Sequence, residues 1–288
     1  MVPFRVTECP RDAWQGLTTL IPADVKAGYM QLAYETGFRR FDFGSFVSPR
    51  MVPQMADTAE VAAIVNPSGR MPGCEWIAIV ANGRGARDAA CCPLTTHLGF
   101  PFSMASGFQQ RNTGLTVEES WQVMEEIRMI AAEADKTLLV YLSMGFGNPD
   151  DEPWSPVAAA TFAASLLAAG AREIALSDTV GLATPETVLQ TTTACRAVLP
   201  DIPLLAHLHS SPLGWEPKIE AAIEGGVDGL DMAAGGIGGC PFTGAEQVSN
   251  LDTAAVLPWL ADRGLVDTPD SDALAAFAAE AARISAWS

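Results

Sequence analysis

Glu173-Ile174-Ala175-Leu176-Ser177-Asp178-Thr179 and Pro203-Leu204-Leu205-Ala206-His207-Leu208-His209 bound the stretch on which the fold turns. Both runs have strand length and are almost continuously apolar, the pattern of parallel strands buried on two faces. Between them, Thr184-Pro185 reads as a helix N-cap followed by proline at the first helical position. Strand, helix, strand is the unit of a parallel sheet, and it recurs in both directions. Strand candidates cover residues 5–9, 39–46, 75–82, 96–103 and 137–144 upstream, then 173–179 and 203–209, and finally 227–234. Among the helices, Thr116 with Glu119 forms a capping box. Val117, Trp121, Met124, Ile127 and Ala131 then lay one apolar stripe at helical spacing. Ser155-Pro156 opens another helix, and Gly170 ends it. Eight units closing on themselves predict a (β/α)8 TIM barrel, with a doubly wound open sheet as the competing topology. Residues 251–264 and 271–286 are helical in pattern, the second a C-terminal addition packed on the barrel. No linker interrupts the chain, so residues 1–288 are expected to form one catalytic domain.

Composition narrows the function classes. Acidic residues outnumber basic ones 34 to 17, a net charge of −17. That balance suits a soluble surface and argues against nucleic acid, whose phosphates require clustered Lys and Arg. No apolar stretch has the length of a membrane span, and the first residues lack the basic and apolar regions of a signal peptide, so a cytoplasmic protein is expected. The six cysteines show neither CxxC pairs nor zinc-finger spacing. Most read as small buried apolar residues.

Barrel enzymes work at the C-terminal ends of their strands, and the chemically capable residues fall there. Glu8, Arg11 and Asp12 follow the first strand, Asp42 and Ser45 lie late in the second, and Asn82 closes the third. Asp178 and Thr179 end the sixth. His207-Leu208-His209 ends the seventh, and a glycine-rich loop carrying Cys240 follows the eighth. Period-two geometry aims both imidazoles to one side, and two imidazoles with a carboxylate make an open site for a divalent ion. Asp12 is the natural carboxylate; its alternative reading is an N-cap or turn residue. Arg11 offers a fixed cation with a planar donor fork. The loop 234–242 reads either as turn chemistry or as a mobile flap bearing the Cys240 thiol. His97, at the start of the fourth strand, reads as structural.

Together these residues resemble the 3-hydroxy-3-methylglutaryl-CoA lyases, within the metal-dependent (pyruvate carboxyltransferase-type) barrel lyases and Claisen-type synthases. The resemblance rests on Glu8-Cys9-Pro10-Arg11-Asp12-Ala13-Trp14-Gln15, on residues 45–57, on Ser177-Asp178-Thr179-Val180-Gly181, on His207-x-His209 and on Gly238-Gly239-Cys240-Pro241. It implies Asp12, His207 and His209 as ligands of a divalent cation, magnesium or manganese foremost. Asn250 becomes a fourth ligand, one residue further from the cysteine than the family's spacing. Arg11 would hold the thioester or enolate oxygen, Cys240 would be the loop acid/base, and His207 or Asp42 the base. Departures accompany it. Asp42 replaces a glutamate, Gly16-Leu17-Thr18-Thr19 lacks a basic position, and Gly107 replaces another glutamate. Gln110-Arg111 replaces a basic pair, Leu139 an arginine, Asn148 a cysteine and Ser210 an aspartate. The implied activity is metal-dependent cleavage of a hydroxyacyl thioester, an acyl-CoA like 3-hydroxy-3-methylglutaryl-CoA, to an enolate and a keto acid. The alternatives are an aldolase or Claisen-type enzyme acting on another hydroxy or keto acid without CoA, and a non-catalytic barrel with a binding role. A homodimer is what the resemblance suggests for assembly.

Overall fold

The computed structural model describes residues 4–65, 71–211, 213–238 and 249–286. Its parallel strands are β1 (Arg5–Glu8), β2 (Arg40–Ser45), β3 (Glu75–Ile79), β4 (His97–Ser103), β5 (Thr137–Ser143), β6 (Glu173–Ser177), β7 (Leu204–His207) and β8 (Gly229–Met232). They close into a barrel in sequence order, β8 returning to β1 in the register Arg5↔Gly229 to Glu8↔Met232. The barrel expectation holds, and the open sheet is excluded.

Helices α1 (Pro10–Trp14), α2 (Ala23–Glu35), α3 (Thr58–Val65), α4 (Gly83–Cys91), α5 (Ser106–Thr113), α6 (Val117–Glu133), α7 (Pro156–Ala168), α8 (Pro185–Val198) and α9 (Trp215–Glu224) alternate with the strands. Their starts follow the local chemistry. Thr116 and Glu119 make the reciprocal capping box of α6, Ser155 accepts from Ala158 N at α7, and Thr184 accepts from Thr187 N at α8. After β8 come α10 (Thr253–Asp262) and α11 (Ser271–Ser285), the C-terminal addition. Among the described residues, no helix is long and apolar enough to cross a membrane.

Two apolar layers result. One fills the space between barrel and helices, and α11 joins it through Phe277, whose ring lies 4.7 Å from Tyr29 and 6.3 Å from Phe38. The other fills the lumen with Ile77, Ile79, Leu139, Tyr141, Ala175 and Leu205. Leu139 therefore occupies the barrel axis with an alkyl group. Below it, at the N-terminal ends of the strands, Arg40 pairs with Glu75 and Glu173, and Arg5 reaches Glu173 at 2.6 Å. His97 belongs to this lower plug, with Nε2 3.6 Å from Glu173 and Nδ1 2.7 Å from Thr96 Oγ1. These paired charges close the lower end of the barrel, and the opposite rim is left for chemistry.

Candidate metal centre and active site

Pro10 opens α1 immediately after β1, because its missing N–H and fixed φ suit a first helical turn. Arg11 and Asp12 consequently emerge side by side at the C-terminal rim, Asp12 inside the turn rather than capping it. Arg11 Nη1 donates to Asp12 Oδ1 and to Gln15 Oε1, both at 3.1 Å. Its Nε and Nη2 donate to Asp42 Oδ2 at 3.0 and 2.5 Å. One Nη2 hydrogen is left without a partner among the described residues.

Asp42 lies beside a bulge of β2 between Asp42 and Gly44. Gly44 is required there, since a Cβ would sit 2.6 Å from Thr58 Cγ2. Asp42 is fully buried, both its oxygens engage Arg11, and it does not border the cavity described below. In this structure Asp42 holds and orients the guanidinium. Burial pushes its pKa up to about 6 despite Arg11. Arg11 is also disfavoured by burial, but Asp42 and Asp12 outweigh that and raise its pKa, so its charge is permanent.

The run 203–209 is not one continuous strand. β7 ends at His207, opposite Ser177, where β6 also stops. Deprived of that neighbour, His209-Ser210 pairs antiparallel with Ser249-Asn250 instead. Both imidazoles nevertheless converge, their Nε2 atoms 3.2 Å apart, and His207 Nε2 is 4.0 Å from Asp12 Oδ2. One ligand-capable atom from each of Asp12, His207 and His209 lies within 4.8 Å of the others. The same short pairing brings in Asn250, whose Nδ2 donates to Asp12 Oδ2 and to Ile237 O, each at 2.9 Å. At His207 the Nδ1 atom faces Asp231 Oδ2 at 3.1 Å, the carboxylate–histidine arrangement that orients metal-binding imidazoles.

The electrostatics of Asp12 and His209 suit a cation site. Burial opposes ionisation of Asp12, but Arg11 and the two histidines outweigh it and hold its pKa at about 2. Burial, reinforced by His207, lowers His209 to about 4. Burial also opposes charge on His207, yet the Asp231 bond and the Asp12 field raise its pKa. An anionic carboxylate and a neutral imidazole are the protonation states that a metal ion requires.

Above these groups opens a cavity of about 510 Å³. Val47, Ile79, Pro101, Phe108 and Tyr141 form its apolar wall, while Ser45, Gln110 and Arg111 supply polar atoms. The hydroxyls of Ser45 and Tyr141 are buried with no partner among the described residues. The Tyr141 ring stands edge-on to His207, 6.0 Å away. Asn82 borders the cavity but caps α4, its side chain accepting from Gly85 N at 3.0 Å. Glu8 is a structural bolt: Tyr29 Oη and Thr253 Oγ1 donate to it at 2.6 Å, and Ala234 N at 3.0 Å.

Cys240 lies outside the described residues. Gly238 packs against the backbone of Ala13 and Asp12: at its φ of +100° a Cβ would be 2.7 Å from Ala13 Cα and 2.8 Å from Asp12 O, so only glycine fits. Sequence reasoning missed Gln15, Asp231 and Tyr141. Asp231 and Tyr141 carried a usable signal, a polar side chain inside an otherwise apolar strand run.

Comparison with known proteins gives one consistent result. The family model described as HMGL-like matches residues 10–278. The hydroxymethylglutaryl-CoA lyase of Pseudomonas mevalonii is 31% identical over 270 residues, 92% of this chain and 87% of that protein. The HMG-CoA lyase structure from Brucella melitensis superposes with a TM-score of 0.89 at 29% identity, covering 99% of each chain. An A. baumannii HMG-CoA lyase, solved in complex with coenzyme A and 3-methylmalate, has a TM-score of 0.88 at 26% identity, covering 99% of this chain and 91% of that one.

Proposed function

This chain belongs to the HMGL-like family, and on that premise we propose that it is a divalent-metal-dependent carbon–carbon lyase acting on a 3-hydroxy-3-methylglutaryl-CoA-like thioester. The observation that carries the reading is the convergence of Asp12, His207 and His209 beside the Arg11 guanidinium, on the floor of one cavity. The donor set fits a cation. Two imidazole nitrogen atoms 3.2 Å apart with an anionic oxygen close by are a donor set that a divalent cation takes up. Asp12, His207 and His209 would hold it. Asn250 would join them only by giving up the bonds its Nδ2 makes to Asp12 Oδ2 and Ile237 O and turning its carboxamide oxygen to the ion. Magnesium or manganese suits a mixed oxygen and nitrogen set with open positions.

When bound, such an ion supplies a Lewis acid that acidifies a tertiary hydroxyl and fixes it beside a neighbouring carboxyl group. The remaining work falls to side chains. As the bond between C2 and C3 breaks, the C3 hydroxyl gives its proton to a base (His207, whose Nε2 faces the cavity, is the candidate nearer to it), C3 becomes a ketone carbon and the electron pair forms a thioester enolate at C2. The free Nη2 hydrogen of Arg11 is preorganised for that developing oxyanion, with Asp42 and Gln15 preventing its rotation. Tyr141 offers an unpaired O–H donor to a substrate oxygen, and the apolar wall keeps water from the enolate. With Nδ1 of His207 committed to Asp231, its Nε2 lone pair faces the centre, where it can hold the ion or take a proton. Protonation of C2 by Cys240 follows from the family resemblance. Residues 1–288 act in this reading as one catalytic unit, a homodimer by the same resemblance. A cytoplasmic location accords with the unpaired buried thiols Cys9, Cys92 and Cys195.

Assay of 3-hydroxy-3-methylglutaryl-CoA and homologous thioesters with Mg²⁺ or Mn²⁺ tests the proposal. Turnover is expected with metal and absent in chelator, and His209→Ala or Asp12→Asn should lower kcat by about 10²–10⁴. Metal binding without cleavage of any thioester would overturn it. One observation favours a second reading, a hydroxy- or keto-acid substrate without CoA. Arg111 at the cavity rim is already neutralised by Asp150 at 2.7 Å, and Glu152 caps Ser106 and Gly107 beside it. Tight calorimetric binding of CoA would remove that alternative.

A further inference from the structure

Lys218, on α9, is 8% exposed, yet nothing about packing a helix on a barrel calls for an ammonium there. Its neighbours Ile219 and Ala222 are apolar and fully buried. A buried ammonium is costly unless paired and hydrogen-bonded. Lys218 Nζ has two partners: Asp178 Oδ2 at 3.1 Å and the backbone oxygen of His209 at 2.8 Å. Asp178 is itself immobilised, its Oδ1 accepting from Ala183 N at 3.0 Å. In addition, its backbone N–H donates to the backbone oxygen of His207 at 2.9 Å. One assembly thus grips the carbonyls of both histidine residues, His207 through the Asp178 amide and His209 through the Lys218 ammonium.

The grip falls where the chain needs it. His209 lies beyond the end of the parallel sheet, where its strand pairing is a two-residue antiparallel ladder with Ser249-Asn250. Fixing its carbonyl fixes the peptide from which the imidazole departs, and the paired Asn250 with it.

We propose that Lys218 is a positioning residue for the metal centre, its ammonium braced on Asp178 and setting the orientation of His209. The inference rests on the reading of Asp12, His207 and His209 as metal ligands. It predicts that loss of Lys218 weakens the ion's binding before it weakens the fold. Titration of the 288-residue protein with Mn²⁺ is the test, followed by calorimetry and by the visible absorption of the Co²⁺-loaded form. Lys218→Met should bind Mn²⁺ about ten- to a hundredfold more weakly and alter the Co²⁺ spectrum, the usual cost of removing an outer partner of a ligand. Lys218→Arg, which keeps both bonds within reach, should recover affinity to within about fivefold of the native protein. Because Lys218→Met strands a buried carboxylate, Asp178→Asn/Lys218→Met is measured beside it. That pair has no uncompensated charge but still lacks the donor to His209, so its affinity should stay low. Native-like affinity (within about twofold) and an unchanged Co²⁺ spectrum in either folded variant would overturn the proposal. A native protein that binds no Mn²⁺ at all would instead strike the metal reading itself and carry this inference down with it.

Discussion

Glu8 illustrates how a carboxylate at the right end of a strand can have a purely structural task. Burial pushes its pKa up from 4.5 to about 7, against the Thr253 and Tyr29 hydrogen bonds that favour the anion. The unfolded chain releases this proton near 4.5, whereas the folded chain retains it until about pH 7. Between those values the folded state binds more protons, so the contribution of Glu8 to stability declines as pH rises through the window and is flat above it. The displacement corresponds to about 3 kcal/mol at most. In Glu8→Gln the amide oxygen can keep the Tyr29 and Ala234 bonds, and its nitrogen can donate to Thr253 Oγ1. The variant should therefore lose less Tm than the native protein between pH 5 and 8, as read by calorimetry across that range. Parallel slopes for the two proteins would exclude the assignment. Asp12 and Asp42 show the same principle with different outcomes: two buried carboxylates share Arg11, but only Asp12 also faces two imidazoles, and it alone is held at about 2.

Among the elements, helices with complete caps begin where their local sequence says they should. Thr116 Oγ1 accepts from Glu119 N at 3.1 Å, and Glu119 Oε2 accepts from Thr116 N at 2.8 Å. Thr116→Ala removes one half of that exchange and should cost about 1 kcal/mol, a fall in Tm of about 2–4 °C. Because the cap lies on the outer layer, kcat/KM should stay unchanged, and a kinetic effect would show α6 coupled to the cavity. Strand ends were less legible than helix starts. β7 stops at His207 because its neighbour stops, and the continuation finds a partner in residues forty positions on; no property of residues 203–209 encodes that exchange.

At the scale of the whole molecule, charge is divided between the two ends of the barrel. The lower end is plugged by Arg5, Arg40, Glu75, His97 and Glu173, and the upper end holds Arg11, Asp12, Asp42 and the histidine pair. The apolar lumen layer separates them. Outside, α11 is part of the same body, since fully buried Phe277 packs on Tyr29, which in turn donates to Glu8. Phe277→Ala should cost about 3–5 kcal/mol in denaturant unfolding, while Mn²⁺ affinity of the folded protein is retained. A loss below about 1 kcal/mol would show that α11 is only loosely attached.

Period and punctuation along the chain determined the barrel, its strand order and its helix starts, because those depend on residues within a turn or two of one another. The rim location of Arg11, Asp12, His207 and His209 followed from the same reading, since strand polarity sends successive βα loops to one end. Tertiary structure alone decided who pairs with whom. Asp42 became a holder of Arg11, Asn82 a helix cap and His97 part of a plug, while Asp231 and Tyr141 came to face His207 and Lys218 came to bond the His209 carbonyl. A side chain's charge and role depend on burial and on partners a few ångströms away, and closing a barrel sets those distances between residues up to hundreds of positions apart.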